Sequence, residues 1–345
     1  MASIVNTVKS TIAENFGGVA HSLPSKEHQF SLEEVPDLSG KVAVITGGSR
    51  GIGYGCSHTL LSHNLSKLFI ISRSQSAFDE ALKSISSDLG DEKAKKVTFL
   101  QCEVGDWKAV TETAKKISDS TDRLDILIND AARGIMTYQI AENGVDRHMA
   151  VNHFGHVILT SHLLPLLKKT ASDGNTVRIV CLGSNAHQGT PSDCSFSSLS
   201  ELNTDLGPNG QYGRSKLAQM LYMKYLAKHL TARCPTILAN SVHPGFVETK
   251  MSTEAIHEPY PVAGYAMSAG MKPFKKDLWM GCVSSMFAAT KTQKSGQYIC
   301  PPAIPEEGNA LYQKEGLEEQ LMTLTREIVK EKMGAELGKC PLQFY

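Results

Sequence analysis

The sequence predicts an α/β protein: an open, doubly wound sheet of seven parallel strands with helices on both faces. Three observations predict it. Apolar runs of strand length at 42–46, 67–72, 97–102, 124–129, 177–182, 236–242 and 296–300 alternate with helix-like stretches, the pattern of repeated βαβ units. The first run, Val42-Ala43-Val44-Ile45-Thr46, tips directly into Gly47-Gly48-Ser49-Arg50-Gly51-Ile52-Gly53, as a buried strand feeding a tight turn and a helix would. No shift in composition interrupts the chain between 41 and about 302, so 40–302 reads as one domain whose ligand sits at the carboxyl ends of the strands.

Composition bounds the rest. A chain of 345 residues, 41% hydrophobic and 20% charged, can bury a large core. Its 35 basic and 35 acidic residues cancel, which removes any electrostatic case for nucleic acid or an anionic membrane. Eight cysteines, with no C-x-x-C pair, read as reduced thiols with no metal site, and place the protein in a reducing compartment, the cytoplasm. No apolar run approaches the roughly 20 residues of a membrane span, and the first residues lack a signal peptide's apolar core and cleavage site.

Residues 1–39 form an N-terminal extension and linker. Ile4, Val8, Ile12 and Phe16 recur at helical spacing and predict a short amphipathic helix ending at Gly17-Gly18. Its polar face carries only Lys9 and Glu14, so packing on the parent domain is expected and membrane-surface association is the alternative. The absence of Arg before position 50 argues against a mitochondrial presequence.

The glycine turn carries the first chemistry. Gly47, Gly51 and Gly53 allow the backbone to approach a pyrophosphate, met by the N–H groups and dipole of the helix that starts near Ile52. The second strand then ends in Ser72-Arg73-Ser74, with no acidic residue to accept from an adenosine ribose. Arg73 and Arg50, with Ser49 and Ser74, offer charge and donors for a 2′-phosphate instead. The cofactor expected is therefore NADP(H) rather than NAD.

Further along, Asn129-Asp130-Ala131-Ala132 ends the fourth run in small residues that would let a flat ring approach. Asn152 sits in a helix-like segment among apolar neighbours, Ser184 ends the fifth run, and Tyr212-Gly213-Arg214-Ser215-Lys216 follows. Tyr212 and Lys216, four apart, share one helix face. A phenol of ordinary pKa about 10 is a poor acid-base at neutral pH, but a cation beside it favours the phenolate. That pairing suits carbonyl chemistry.

These motifs in this order resemble the short-chain dehydrogenase/reductase family over about residues 40–302, and within it the retinol-dehydrogenase-like branch and its uncharacterised fungal members. The resemblance rests on Thr46 to Gly53, Asn129 to Ala132, Val151-Asn152-His153-Phe154-Gly155-His156, Ser184, Tyr212-x-x-x-Lys216 and His243-Pro244-Gly245. It implies a Rossmann-type fold and four catalytic residues. Tyr212 would exchange the proton with the substrate oxygen, Ser184 would hydrogen-bond that oxygen, and Lys216 would bind the nicotinamide ribose and lower the tyrosine pKa. Asn152 would hold a relay water. It also implies cofactor contacts from Glu103, Val104, Asn129, Ala131, Pro244, Gly245, Val247 and Thr249. Two departures stand out: Glu103 where the family usually has Asp, and Asp130-Ala131-Ala132 where it has Asn-Ala-Gly.

Two insertions would wall a substrate pocket, Asn185 to Gln211 and His257 to Met280. The second, with Tyr260, Tyr265, Met267, Met271, Phe274 and Trp279, reads as an apolar lid and predicts lipophilic aldehydes, ketones or alcohols. His153, His156, His187 and His243 are expected to be structural. Beyond Cys300-Pro301-Pro302 the prolines end the last strand, and 303–345 is a C-terminal helical tail. Helices 144–167 and 211–230 could pair across a homodimer two-fold, or the terminal segments could cover that face in a monomer. The leading reading is an oxidoreductase; the alternative is a catalytically silent NADP-binding regulator.

Overall fold

The computed structural model describes Glu14 and residues 30–247, 258–259 and 277–334. The predicted amphipathic helix at 4–16, apart from Glu14, lies outside the described residues, as do Thr249 and most of the predicted lid.

The chain builds β1 (Val42–Thr46), α1 (Gly51–Ser62), β2 (Lys67–Ser72), α2 (Gln75–Leu89), β3 (Val97–Gln101), α3 (Trp107–Ser120) and β4 (Ile126–Asn129). It continues with α4 (Gly155–Ser172), β5 (Val177–Leu182), α5 (Gly207–Leu226), β6 (Ile237–Val242), α6 (Leu278–Thr290), β7 (Tyr298–Cys300), β8 (Ile304–Glu306) and α7 (Leu317–Met333). The strands lie in the order β3-β2-β1-β4-β5-β6-β7-β8. The order reverses between β1 and β4, and the crevice at such a switch point is where this architecture binds ligands.

The seven expected strands are all present and parallel. The sheet has eight strands, however, because β8 returns antiparallel along β7. Pro305 lies in β8 at the sheet's edge, where a residue without an N–H is tolerated. The sheet thus runs past residue 302.

Alternation along the strands divides the core into two layers. Val44, Leu127 and Ile179 face one apolar layer, with α3, α4, α5 and α7. Ile45, Ile128 and Val180 face the other, with α1, α2 and α6. The register aligns Thr46 with Asn129 and Asn129 with Cys181, so the carboxyl ends of three central strands finish level. Helix α7 buries Leu321, Leu324 and Ile328 in the first layer and packs on α5. Its Thr325 hydroxyl bonds His153 Nε2 at 2.8 Å. Among the described residues no helix is long and apolar enough to cross a membrane.

Candidate active site

Gly47 and Gly51 adopt φ of +73° and +53°, left-handed conformations that side chains resist. A Cβ on Gly53 would lie 2.5 Å from the Gly47 carbonyl oxygen, so the turn closes only without one. Ser57 Oγ ties the turn down by donating to the Gly48 and Gly53 carbonyls at 2.8 and 2.9 Å. Helix α1 begins after Arg50 with no side chain capping it. Its N-terminus thus follows directly on the glycine turn at the carboxyl end of β1, the arrangement a diphosphate requires. The residues present fit a dinucleotide.

At the far side of the turn, Ser49 Oγ donates to Ser72 Oγ at 2.9 Å. Arg73 and Arg50, read from the sequence as free cations for a 2′-phosphate, each face a carboxylate. Arg73 lies 3.5 Å from Glu103 and is 74% exposed; Arg50 lies 3.5 Å from Glu80. Glu103 thus engages Arg73. Val104 is buried against Gly155, where a Cβ would sit 2.0 Å from the Val104 carbonyl oxygen.

The strand ends supply the floor. Thr46 Oγ1 accepts the Asp130 and Ala131 N–H groups, both at 3.0 Å. Thr46 also bonds His156 Nε2 at 2.9 Å, while His156 Nδ1 reaches the Asn152 carbonyl at 3.0 Å. Because Nδ1 must donate to a carbonyl, Nε2 accepts from Thr46, and burial holds His156 down to about 4, neutral. Asn129 is buried and donates to Thr160 Oγ1 at 3.2 Å. On the next loop Gly245 takes φ +81° and Val247 packs against Gly281.

Asn152 lies in a π-helical turn, Ala150–Phe154, just before α4. Such wide turns cluster at functional sites. Its amide is fully engaged: Oδ1 accepts the Arg133 N–H at 2.7 Å, and Nδ2 donates to the Arg133 carbonyl at 3.0 Å and to Ser215 Oγ at 2.8 Å. Ser215 in turn donates to the Tyr212 carbonyl at 2.8 Å. This chain of bonds locks the loop after β4 to the helix that carries Tyr212.

Ser184 follows β5, with Oγ accepting the Ala186 N–H at 3.1 Å. Its hydroxyl lies close enough to that of Tyr212 to lower the phenol's pKa. The two can approach because Gly213 lets α5 rest on the loop; a Cβ there would lie 2.6 Å from the Ala186 carbonyl oxygen. One turn on, Lys216 Nζ donates to the Leu182 carbonyl at 2.7 Å and to Gln219 Oε1 at 2.8 Å, and lies 5.6 Å from the Tyr212 ring centre. The structure therefore brings Asn152, Ser184, Tyr212 and Lys216 together behind the glycine turn.

The electrostatics correct one expectation. Tyr212 keeps some exposure as a residue, but burial of its hydroxyl pushes the phenol up to about 12, against the Ser184 hydroxyl, and the Asp130 carboxylate adds to the rise. Lys216 donates to Leu182 and Gln219, and burial lowers it to about 8, against the Cys181 and Asp130 charges.

Gln219 escaped the sequence reading, and Thr46 and His156 take a part that it did not give them. Thr46 and His156 join the glycine turn to the Asn152 helix, and Gln219 holds Lys216. Gln219 sits three residues after Lys216, a spacing that placed it on the same face. His156, expected to be structural, is neutral and serves as such a tie.

Comparison with known proteins agrees with this geometry. The chain is 52% identical over 333 residues to the Neurospora crassa oxidoreductase bli-4, named as mitochondrial, covering 95% of this chain and 80% of that protein. It is 29% identical over 273 residues to the polyprenol dehydrogenase of Danio rerio, covering 77% and 79%. Among solved structures, the NADP active-site complex of Pseudomonas aeruginosa RhlG superposes with a TM-score of 0.58 at 25% identity, covering 76% and 95%. The profile of the short chain dehydrogenases matches residues 41–259. The chain belongs to the short-chain dehydrogenase family of oxidoreductases.

Proposed function

We propose that the protein is an NADP(H)-dependent oxidoreductase interconverting a carbonyl and an alcohol on a lipophilic or secondary-metabolite substrate. The approach of the Tyr212 side chain to that of Ser184 carries the reading. It gathers two hydroxyls at the carboxyl end of β5, where a substrate oxygen would meet both. The cofactor, when bound, supplies or removes hydride. Ser184 would hold the substrate oxygen. Tyr212, protonated at neutral pH, would deliver its proton as negative charge grows there, which suits reduction. Lys216, with Asn152 behind it, would refill that proton.

Gly47, Gly51, Ile52 and Gly53 would hold the diphosphate. Arg73, Arg50 and Ser49 would favour a 2′-phosphate, each arginine leaving its present carboxylate to do so. The NADP bound to the RhlG relative supports that choice. The name of the polyprenol dehydrogenase relative supports an apolar substrate. We assign the protein to the cytoplasm on its thiols; the mitochondrial name of the Neurospora relative supplies the competing compartment, and cell fractionation separates the two.

The test is NADPH consumption against aliphatic aldehydes, retinal, steroid ketones and aromatic ketones. Tyr212→Phe should reduce turnover by about 10²–10⁴-fold without loss of NADPH binding. Arg73→Ala should weaken NADPH far more than NADH. NADPH binding with no turnover on any substrate would favour the silent regulator instead.

A further inference from the structure

Asp130 is a half-buried acid that the proposed proton transfer leaves without a task. It follows β4, its N–H held by Thr46 Oγ1, and its side chain enters the glycine turn. A Cβ on Gly47 would lie 2.8 Å from Asp130 Oδ2, and one on Gly53 2.5 Å from the same atom. The carboxyl therefore occupies the cradle that those two glycines open, and the Gly53 N–H in the first turn of α1 hydrogen-bonds it.

The groups facing it come from three other elements. Helix α5 presents Lys216 and Tyr212, α1 presents Cys56, and β5 presents Cys181. Burial raises Asp130 to about 7, against the Lys216 charge and the Gly53 hydrogen bond, and lowers Lys216 to about 8. Tyr212 and Cys181 are pushed up to about 12 and Cys56 well above an ordinary thiol, the last chiefly by its bond to Cys282. His156, beside Lys216, stays neutral. Asp130 and Lys216 are thus the two members of this cluster that change charge near neutrality.

A helix N-terminus stabilises one anion well, and a second anion beside it repels the first. On the cofactor reading given above, we propose that Asp130 is a positioning residue for the dinucleotide: its carboxyl must be protonated for the diphosphate to settle on α1, so cofactor binding takes up a proton. A neutral Asp130 also ceases to oppose charge on Tyr212. By linkage, affinity then falls as pH rises through the Asp130 titration.

The experiment is isothermal calorimetry of NADH and of ADP-ribose with the full-length protein and Asp130→Asn at pH 6, 7, 8 and 9. Both ligands lack the phosphate monoester whose own titration near 6 would confuse the profile of NADPH. Wild-type affinity should fall about tenfold between pH 6 and 8, and that of Asp130→Asn less than about threefold, the remainder belonging to Lys216. Titrations at pH 7 in buffers of different ionisation heat should show proton uptake by the wild type and little by the variant. Parallel pH profiles with sound binding would overturn the proposal alone. Failure of both folded proteins to bind these ligands or NADPH would overturn the cofactor reading and the proposal with it. If Asp130→Asn does not fold, absence of proton uptake in the wild type overturns the proposal by itself.

Discussion

Two carboxylates bracket β4, one residue before it and one residue after it, and they have opposite fates. Asp125 is 1% exposed and closed in by partners. Its Oδ2 accepts the Val42 N–H and Arg123 Nε, both at 2.9 Å, its Oδ1 accepts Arg123 Nη2 at 2.6 Å, and Lys41 stands 3.5 Å away. Asp130 has one backbone N–H from Gly53 and a cation that belongs to another strand's carbonyl. A buried acid with a bidentate arginine is a rivet. A half-buried acid with no cation in contact is pushed up toward its titration point, where a small change in surroundings moves a proton.

The largest effect that would sharpen this contrast is at the rivet. Asp125→Ala leaves the Arg123 guanidinium and the Val42 N–H without their acceptor, and should cost about 3–5 kcal/mol in denaturant unfolding. A loss below about 1 kcal/mol would erase the distinction between the two acids.

Asp130→Asn should do the reverse, and only at higher pH. Because the folded-state pKa of Asp130 is raised from 3.8 to about 7, its contribution is intact below about 4 and is lost as pH rises through about 7. The variant should therefore match the wild type near pH 4 and be more stable by roughly 1–3 kcal/mol at pH 8. Unfolding curves that keep the same separation at both pH values would break the comparison. The smallest effect is at Lys41, which is 32% exposed on its side chain and the more distant partner of Asp125. Lys41→Ala should change stability by less than about 1 kcal/mol, and less still in high salt.

These acids also show what a sequence can reveal. The run 124–129 reads as one strand, and Asp125, one residue before β4, already bonds Val42 of β1 and Arg178 of β5 through its backbone while its carboxylate holds Arg123. The glycine turn, Ser184, Tyr212 and Lys216 were legible because each needs a residue type that the local backbone itself demands: no Cβ, a strand-end hydroxyl, an i,i+4 pair. β8 was not, since Pro301, Pro302 and Pro305 signal the end of pairing, and only the edge position of β8 makes Pro305 acceptable. Nor was the level of the tyrosine pKa, which depends on how deeply α5 presses on the Ser184 loop and on which carbonyl captures Lys216. The π-helical turn around Asn152 likewise follows from what packs on it rather than from its five residues.

Helix α7 lies along α5, the helix of Tyr212, and reaches it from the same chain through β8 and a short connection. Lys228 and His229 beyond α5 meet Glu318 and Glu319 at its start, at 3.2, 2.9 and 2.6 Å. A tethered cover of this kind acts at a fixed effective concentration, of millimolar order for short connections. Dilution that would separate two subunits leaves it in place, so the backing of α5 is as secure in a sparse solution as in a crowded one.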